Sequence, residues 1–225
     1  MELSHPDSHL AKILKEQRVL PIVGGMTDSK KAVDLAQVLF EAGVKVMEFP
    51  VRGQDPEAVL RSISEVRNKV PALVMGAGSI TTPEEWERAL DFGAQFGVSP
   101  GMSPQLRGAV ERMRHPFIPG FQTVSEGMAL QEGGFQLLKW FPAQSSGGVE
   151  TLRQILPTFL RGETGVVPTG GITYTLTPDY LNAPGVTAVG ASWVTPAKAI
   201  QQGDWAEVRS LVEAAKRLAG QNPVR

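Results

Sequence analysis

Lys139 lies in the run Phe135-Gln136-Leu137-Leu138-Lys139-Trp140-Phe141-Pro142, whose other members suit a buried strand. An ammonium among such neighbours loses hydration, and burial favours the free amine over the charged form. A free amine in a dry site is a nucleophile that condenses with a ketone to form a Schiff base. Taken alone, the segment also fits an edge strand whose lysine snorkels to water. Glu48 and Arg52, in Glu48-Phe49-Pro50-Val51-Arg52, supply complementary chemistry. A carboxylate near a Schiff-base nitrogen shuttles protons, whereas one near an arginine alone is a structural partner. The planar fork of Arg52 suits a substrate carboxylate, and an ion pair with Glu48 would also fix the position of that side chain.

Two glycine-rich segments, Thr169-Gly170-Gly171-Ile172 and Gly190-Ala191-Ser192-Trp193, bring small residues and hydroxyls together. Glycine lets backbone N–H groups approach an anion closely, so these segments form a candidate phosphate cradle that needs no basic side chain. Each could equally close a tight turn. Ser79, in Gly76-Ala77-Gly78-Ser79, and Pro100 with Gly101 follow two further β-rich runs. The three histidines do not suggest a metal site. His5 and His9 are expected on one face of a terminal helix without a second ligand cluster, and His115 precedes Pro116 in a loop. Gly24-Gly25-Met26 is not a dinucleotide fingerprint, and no Walker-type loop occurs. The tryptophans suit packing better than base stacking.

These residues must be carried by repeated strand–helix units. Eight β-rich runs are expected as strands, at 19–23, 44–49, 72–76, 95–99, 117–119, 136–141, 165–169 and 187–190. Between them the helices carry caps. Ser29 is expected to start one with a stripe of Ala32, Leu35, Ala36 and Leu39 that ends before Gly43. Thr82-Pro83-Glu84-Glu85 reads as a capped start with proline and acids in the first turn. Leu10, Ile13 and Leu14 mark a leading helix, and Trp205, Val208, Leu211, Val212, Ala215 and Leu218 a closing one. No linker divides the chain, so residues 1–225 are expected to form one domain. The expected fold is α/β: a single eight-stranded parallel β/α (TIM) barrel with an N-terminal helix. An open doubly wound sheet has the same periodicity. In either, ligands gather at the carboxyl ends of the strands, where the residues named above fall, and on a barrel the loops after strands seven and eight commonly hold phosphate.

Composition narrows the function classes. The chain has 225 residues, with 22 Lys plus Arg against 23 Asp plus Glu, so no strong field draws it to nucleic acid or an anionic membrane. Cysteine is absent, which excludes disulfides and thiolate metal sites and agrees with a reducing compartment. No signal-peptide pattern and no apolar run of about 20 residues occurs. A cytoplasmic location is expected.

The assembled motifs resemble the KDPG/KHG aldolase family, the class I aldolases of 2-keto-3-deoxy-6-phosphogluconate and 4-hydroxy-2-oxoglutarate. The resemblance runs from about Leu10 to Ala219. It is carried by Val46-Met47-Glu48 with Arg52, Gly76-Ala77-Gly78-Ser79, Val98-Ser99-Pro100-Gly101 and Ile118-Pro119-Gly120. Leu138-Lys139-Trp140-Phe141-Pro142-Ala143, Pro168-Thr169-Gly170-Gly171-Ile172 and Val189-Gly190-Ala191-Ser192-Trp193 complete it. The resemblance implies a barrel, a homotrimer and no cofactor. It makes Lys139 the Schiff-base lysine and Glu48 the proton shuttle, with Arg52 and Ser79 binding the substrate carboxylate. It places phosphate at Gly170, Gly171, Gly190 and Ser192, with Pro100 and Thr169 lining the pocket. The implied reaction is reversible cleavage of the phosphorylated keto acid to pyruvate and glyceraldehyde 3-phosphate. Preference for 4-hydroxy-2-oxoglutarate or the galactonate-derived epimer is an alternative. A phosphate-binding barrel isomerase or a non-enzymatic sugar-acid sensor would keep the glycine loops without using the amine. Three positions depart from the family pattern: Ser79 replaces a usual threonine, Ala191 a common glycine, and Gly24 an arginine found in many relatives.

Overall fold

Each β-rich run contains a strand, with ends shifted by a few residues, in a computed structural model that describes residues 6–220. The strands are β1 (Val19–Pro21), β2 (Val46–Pro50), β3 (Val74–Gly78), β4 (Phe96–Val98), β5 (Phe117–Ile118), β6 (Gly120–Phe121), β7 (Leu137–Trp140), β8 (Gly165–Pro168) and β9 (Val189–Ala191). Nine segments stand where eight strands were expected, because Pro119 separates β5 from β6. Proline has no N–H to give a ladder, although the Pro119 carbonyl still accepts from the Lys139 N–H at 2.8 Å. Every ladder is parallel, in the orders β1-β9, β2-β3-β4-β5 and β6-β7-β8. Isolated parallel bridges join Ile22 to Glu48 and Thr169 to Gly190. Helices alternate with the strands, so the fold is α/β, and no described helix is long and apolar enough to cross a membrane.

Strand alternation sorts side chains into two cores. Leu20, Val46, Phe96, Val98, Ile118, Leu137, Val167 and Ala188 form one apolar cluster, and Leu10, Ile13 and Leu14 of the leading helix (Ser8–Gln17) pack into it. The neighbouring positions, among them Val19, Met47, Phe49, Met75, Phe117, Leu138, Trp140, Val166 and Val189, join the larger cluster shared with the other helices. Both faces of the strands are therefore buried, as parallel sheets require.

The helix starts follow local hydrogen bonding. Thr82 and Glu85 form the reciprocal capping box at helix Pro83–Asp91. The expected stripe of Ala32, Leu35, Ala36 and Leu39 is buried in helix Ser29–Glu41, but Asp28, not Ser29, is its cap. Asp28 is extended, and its carboxylate accepts from the Lys30 and Lys31 N–H groups, a charged acceptor at the positive helix end. Helix Trp205–Gly220 buries Val208, Val212, Ala215 and Leu218, while Leu211 is only partly covered. Arg18 is buried with three carbonyl partners, on Leu181, Val186 and Thr187, and ties the approach to β9 to the start of β1.

The leading helix is held to the strands by apolar packing, so Leu14→Ala, at a site 0 % exposed, opens a cavity. It should lower unfolding free energy by about 2–5 kcal/mol, measured by urea denaturation.

Candidate active site

Alternation carries two ionisable side chains onto the face that otherwise forms the smaller core. On β7, Lys139 shares a face with Leu137, and on β2, Glu48 shares one with Val46. β7 lies between β6 and β8, with Lys139 in register with Gly120 and Val167. β2 pairs Glu48 with Gly76, and Ile22 bridges to its other side. The Lys139 ammonium nitrogen, Nζ, lies 3.9 Å from Glu48 Oε1 and 5.2 Å from the centre of the Phe141 ring. Lys139 is 7 % exposed and Glu48 1 %. Gly78 gives the carboxyl its room, since a Cβ there would overlap Glu48 Oε1.

Burial pushes the Glu48 carboxyl above the ordinary carboxylate range. The positive charges of Lys139 and Arg52 pull the other way without reversing the shift. Among the described residues, Glu48 Oε2 has no hydrogen-bond partner. A buried oxygen of this kind is costly unless a partner arrives.

Both groups open into a cavity of about 1030 Å³. All ten residues singled out from the sequence line it: Glu48, Arg52, Ser79, Pro100, Lys139, Thr169, Gly170, Gly171, Gly190 and Ser192. Arg52 is exposed, and among the described residues no ion pair joins it to Glu48, contrary to the expectation. The chain leaves β2 at Pro50, so Arg52 stands beyond the strand while Glu48 points into its interior face. The guanidinium is thus open to an external carboxylate. Ser79 just past β3 adopts φ 64°, in the left-handed region, a conformation costing a serine of order 1 kcal/mol.

The two glycine segments converge through the Thr169–Gly190 bridge. Gly170 and Gly171 have φ of 105° and 75°, and a Cβ at Gly171 would come within 2.9 Å of Gln144. Only glycine fits both constraints. The Ala191 methyl does not crowd the cavity: Ala191 is 1 % exposed and packs in the helix-side core, because it has the opposite parity to Gly190 and Ser192. Gly24 lines the cavity with nothing within 4 Å of an added Cβ.

Phe141, Thr173 and Trp193 also line the cavity and were not singled out from sequence. Phe141 stands two residues beyond Lys139, a spacing that could have placed it on the same face. Trp193 follows Ser192 directly, and nothing in its own context distinguished it from a core tryptophan. His9 is exposed, His115 meets Trp86 edge-on, and His5 lies outside the described residues. An amine and a proton-exchanging carboxyl facing one cavity can serve as nucleophile and acid–base to a carbonyl held between them.

The raised carboxyl has a thermodynamic signature. Its folded pKa exceeds the ordinary glutamate value of 4.5, so its stabilising contribution is full below that pH and is lost as pH rises through the folded value. Glu48→Gln does not titrate. It should therefore gain stability relative to the parent from acid toward neutral pH, as followed by urea unfolding at several pH values. A flat or reversed difference contradicts the assignment.

Comparison with known proteins bears on the same residues. The sequence model of the KDPG and KHG aldolase family matches residues 10–211. The chain is 35% identical over 204 residues to the 2-dehydro-3-deoxy-phosphogluconate aldolase of Dickeya dadantii, covering 91% of this chain and 93% of that one. It is 35% identical over 208 residues to the KHG/KDPG aldolase of Escherichia coli K12, covering 91% and 95%. The KDPG aldolase of Legionella pneumophila, solved with pyruvate captured as a covalent carbinolamine, superposes with a TM-score of 0.84 at 31% identity, over 91% of this chain and 97% of that one. The match spans the strands, the cavity and both glycine segments, and the chain belongs to the KDPG and KHG aldolase family.

Proposed function

We propose that the chain is a class I aldolase, a carbon–carbon lyase that reversibly cleaves 2-dehydro-3-deoxy-6-phospho-D-gluconate to pyruvate and D-glyceraldehyde 3-phosphate. The observation that carries this reading is the 3.9 Å approach of Lys139 Nζ to Glu48 Oε1 inside a cavity lined by Arg52 and the glycine segments. Arg52 and the Ser79 hydroxyl hold the C1 carboxylate of the substrate. The C2 ketone then faces Lys139, while the phosphate lies against Gly170, Gly171, Gly190 and Ser192. Pro100 and Thr169 line the space between.

The free amine of Lys139 adds to C2 to give a carbinolamine, and loss of water gives an iminium. Glu48, directly or through water, removes the C4 hydroxyl proton. The C3–C4 bond breaks, its electron pair moves to the iminium nitrogen through C3 and C2, and the aldehyde leaves. The resulting enamine takes a proton at C3, and hydrolysis releases pyruvate and regenerates the amine. A carboxyl held above its ordinary range suits this alternation, since one group must accept a proton and later return it.

Several architectural and cellular readings accompany the activity. We infer that the three ladders form one closed eight-stranded barrel domain over residues 1–225, with β5 and β6 as two halves of one strand. The Ile22–Glu48 and Thr169–Gly190 bridges and the short Pro119 link support that reading. A homotrimer and a cytoplasmic location rest on the family resemblance, with the absence of cysteine in agreement.

Incubation with pyruvate and borohydride should leave a reduced adduct on the peptide carrying Lys139. Lys139→Ala should lose both the adduct and cleavage. An unmodified wild-type peptide beside retained aldolase activity removes the Schiff base from the mechanism. Glu48→Gln should keep the adduct but lower kcat by on the order of 10²–10⁴-fold, measured as pyruvate release from the phosphorylated keto acid. Light scattering should give the mass of three chains.

A further inference from the structure

The two loops that meet at the glycine cradle are tied together by side chains as well as backbone. Trp193 directly follows Ser192, lines the cavity and is only partly buried. Its Nε1–H donates to Thr177 Oγ1 at 3.1 Å, and that hydroxyl donates to the Thr173 carbonyl at 2.8 Å. The turn from Thr173 to Thr177 is closed by the Leu176 and Thr177 N–H groups on the same carbonyl. Tyr174, on this turn, presses edge-to-face on the Trp193 ring, with centroids 5.2 Å apart and planes at 83°. Tyr174 is 45 % exposed. A large aromatic ring left half in water contributes little to a core, so among the described residues the contact with Trp193 is its main structural use.

The indole is thus held at two points by the segment that follows β8, Tyr174 in the loop and Thr177 at the start of helix Thr177–Leu181, while its own backbone belongs to the loop that follows β9. One hydrogen bond fixes its Nε1 edge, and the Tyr174 ring limits its tilt. Gly170 and Gly171, on left-handed backbone, precede the turn and do little to stiffen it. We propose that Tyr174 is a positioning residue for the phosphate end of the substrate, acting through Trp193 to hold Ser192 and the cradle glycines in one geometry. The proposal rests on the aldolase reading and assigns a role to a side chain outside the cavity wall. Loosening the clasp weakens the grip on a phosphate dianion, but leaves Lys139 and Glu48, on β7 and β2, untouched.

The test compares the parent with Tyr174→Ala and Tyr174→Phe. Phenylalanine keeps the ring contact and drops only the hydroxyl, for which the described residues show no partner. Tyr174→Ala should raise KM for the phosphorylated keto acid about two- to tenfold, the range an aromatic pair is worth. Its kcat should hold within about twofold, and KM for unphosphorylated 4-hydroxy-2-oxoglutarate should not move. Inhibition by inorganic phosphate should weaken by the same factor, and Tyr174→Phe should restore all parent values. An unchanged KM for the phosphorylated substrate overturns the proposal. So does an equal rise for both substrates, which marks general loosening, or a Tyr174→Phe variant that behaves like the alanine. If the parent turns over neither substrate, the aldolase reading fails. Calorimetry with inorganic phosphate then decides the clasp: weaker binding to Tyr174→Ala supports it, while equal binding, or none to the parent, overturns it.

Discussion

Two ionisable side chains lie 3.9 Å apart, buried over an apolar core, and the rest of the molecule is arranged around that fact. Removing a carboxylate from water costs several kcal/mol even after relaxation. The nearby charge of Lys139 offsets part of this for Glu48, yet burial still prevails and the carboxyl is held above its ordinary range. Its second oxygen finds no partner among the described residues. A carboxyl held above its ordinary range by burial is suited to take up a proton and return it to whatever enters the cavity.

The scaffold accepts that cost because the pair occupies only the last layer of an otherwise apolar interior. Below Glu48 on β2 is Val46, and below Lys139 on β7 is Leu137, both packed with residues from neighbouring strands and capped by the leading helix. Parallel strands align the ends that carry chemistry at one edge of the sheet, so residues distant in sequence reach a common cavity. The glycine segments follow the same logic. Backbone groups there take the place of cationic side chains, leaving Arg52 and Lys139 as the basic residues among those lining the cavity.

Much of this was legible because it depends on short-range pattern. Alternation within Leu137-Leu138-Lys139-Trp140 is enough to put the amine and the tryptophan on opposite faces of the strand, and the Thr82 to Glu85 box is a four-residue signal. What escaped depends on geometry between segments. Asp28 displaced Ser29 as a cap because both residue types favour that position and only the backbone angle decides between them. The expected Glu48–Arg52 pair fails because the chain leaves the strand between them. The direction of the Ala191 methyl is set by strand parity at β9, whose first and last residues a sequence pattern locates only loosely. Tyr174 and Trp193 meet across two loops, a contact that no periodicity announces.

The glycines along the cavity are unequal as places to vary its shape. At Gly78 even a single methyl would run into the carboxyl of Glu48, so any change there strikes the chemistry itself. Gly24 borders the same space, has an ordinary backbone and faces open volume. A designer seeking new acceptor aldehydes would leave the first fixed and diversify the second, where an added Cβ meets no other atom within 4 Å.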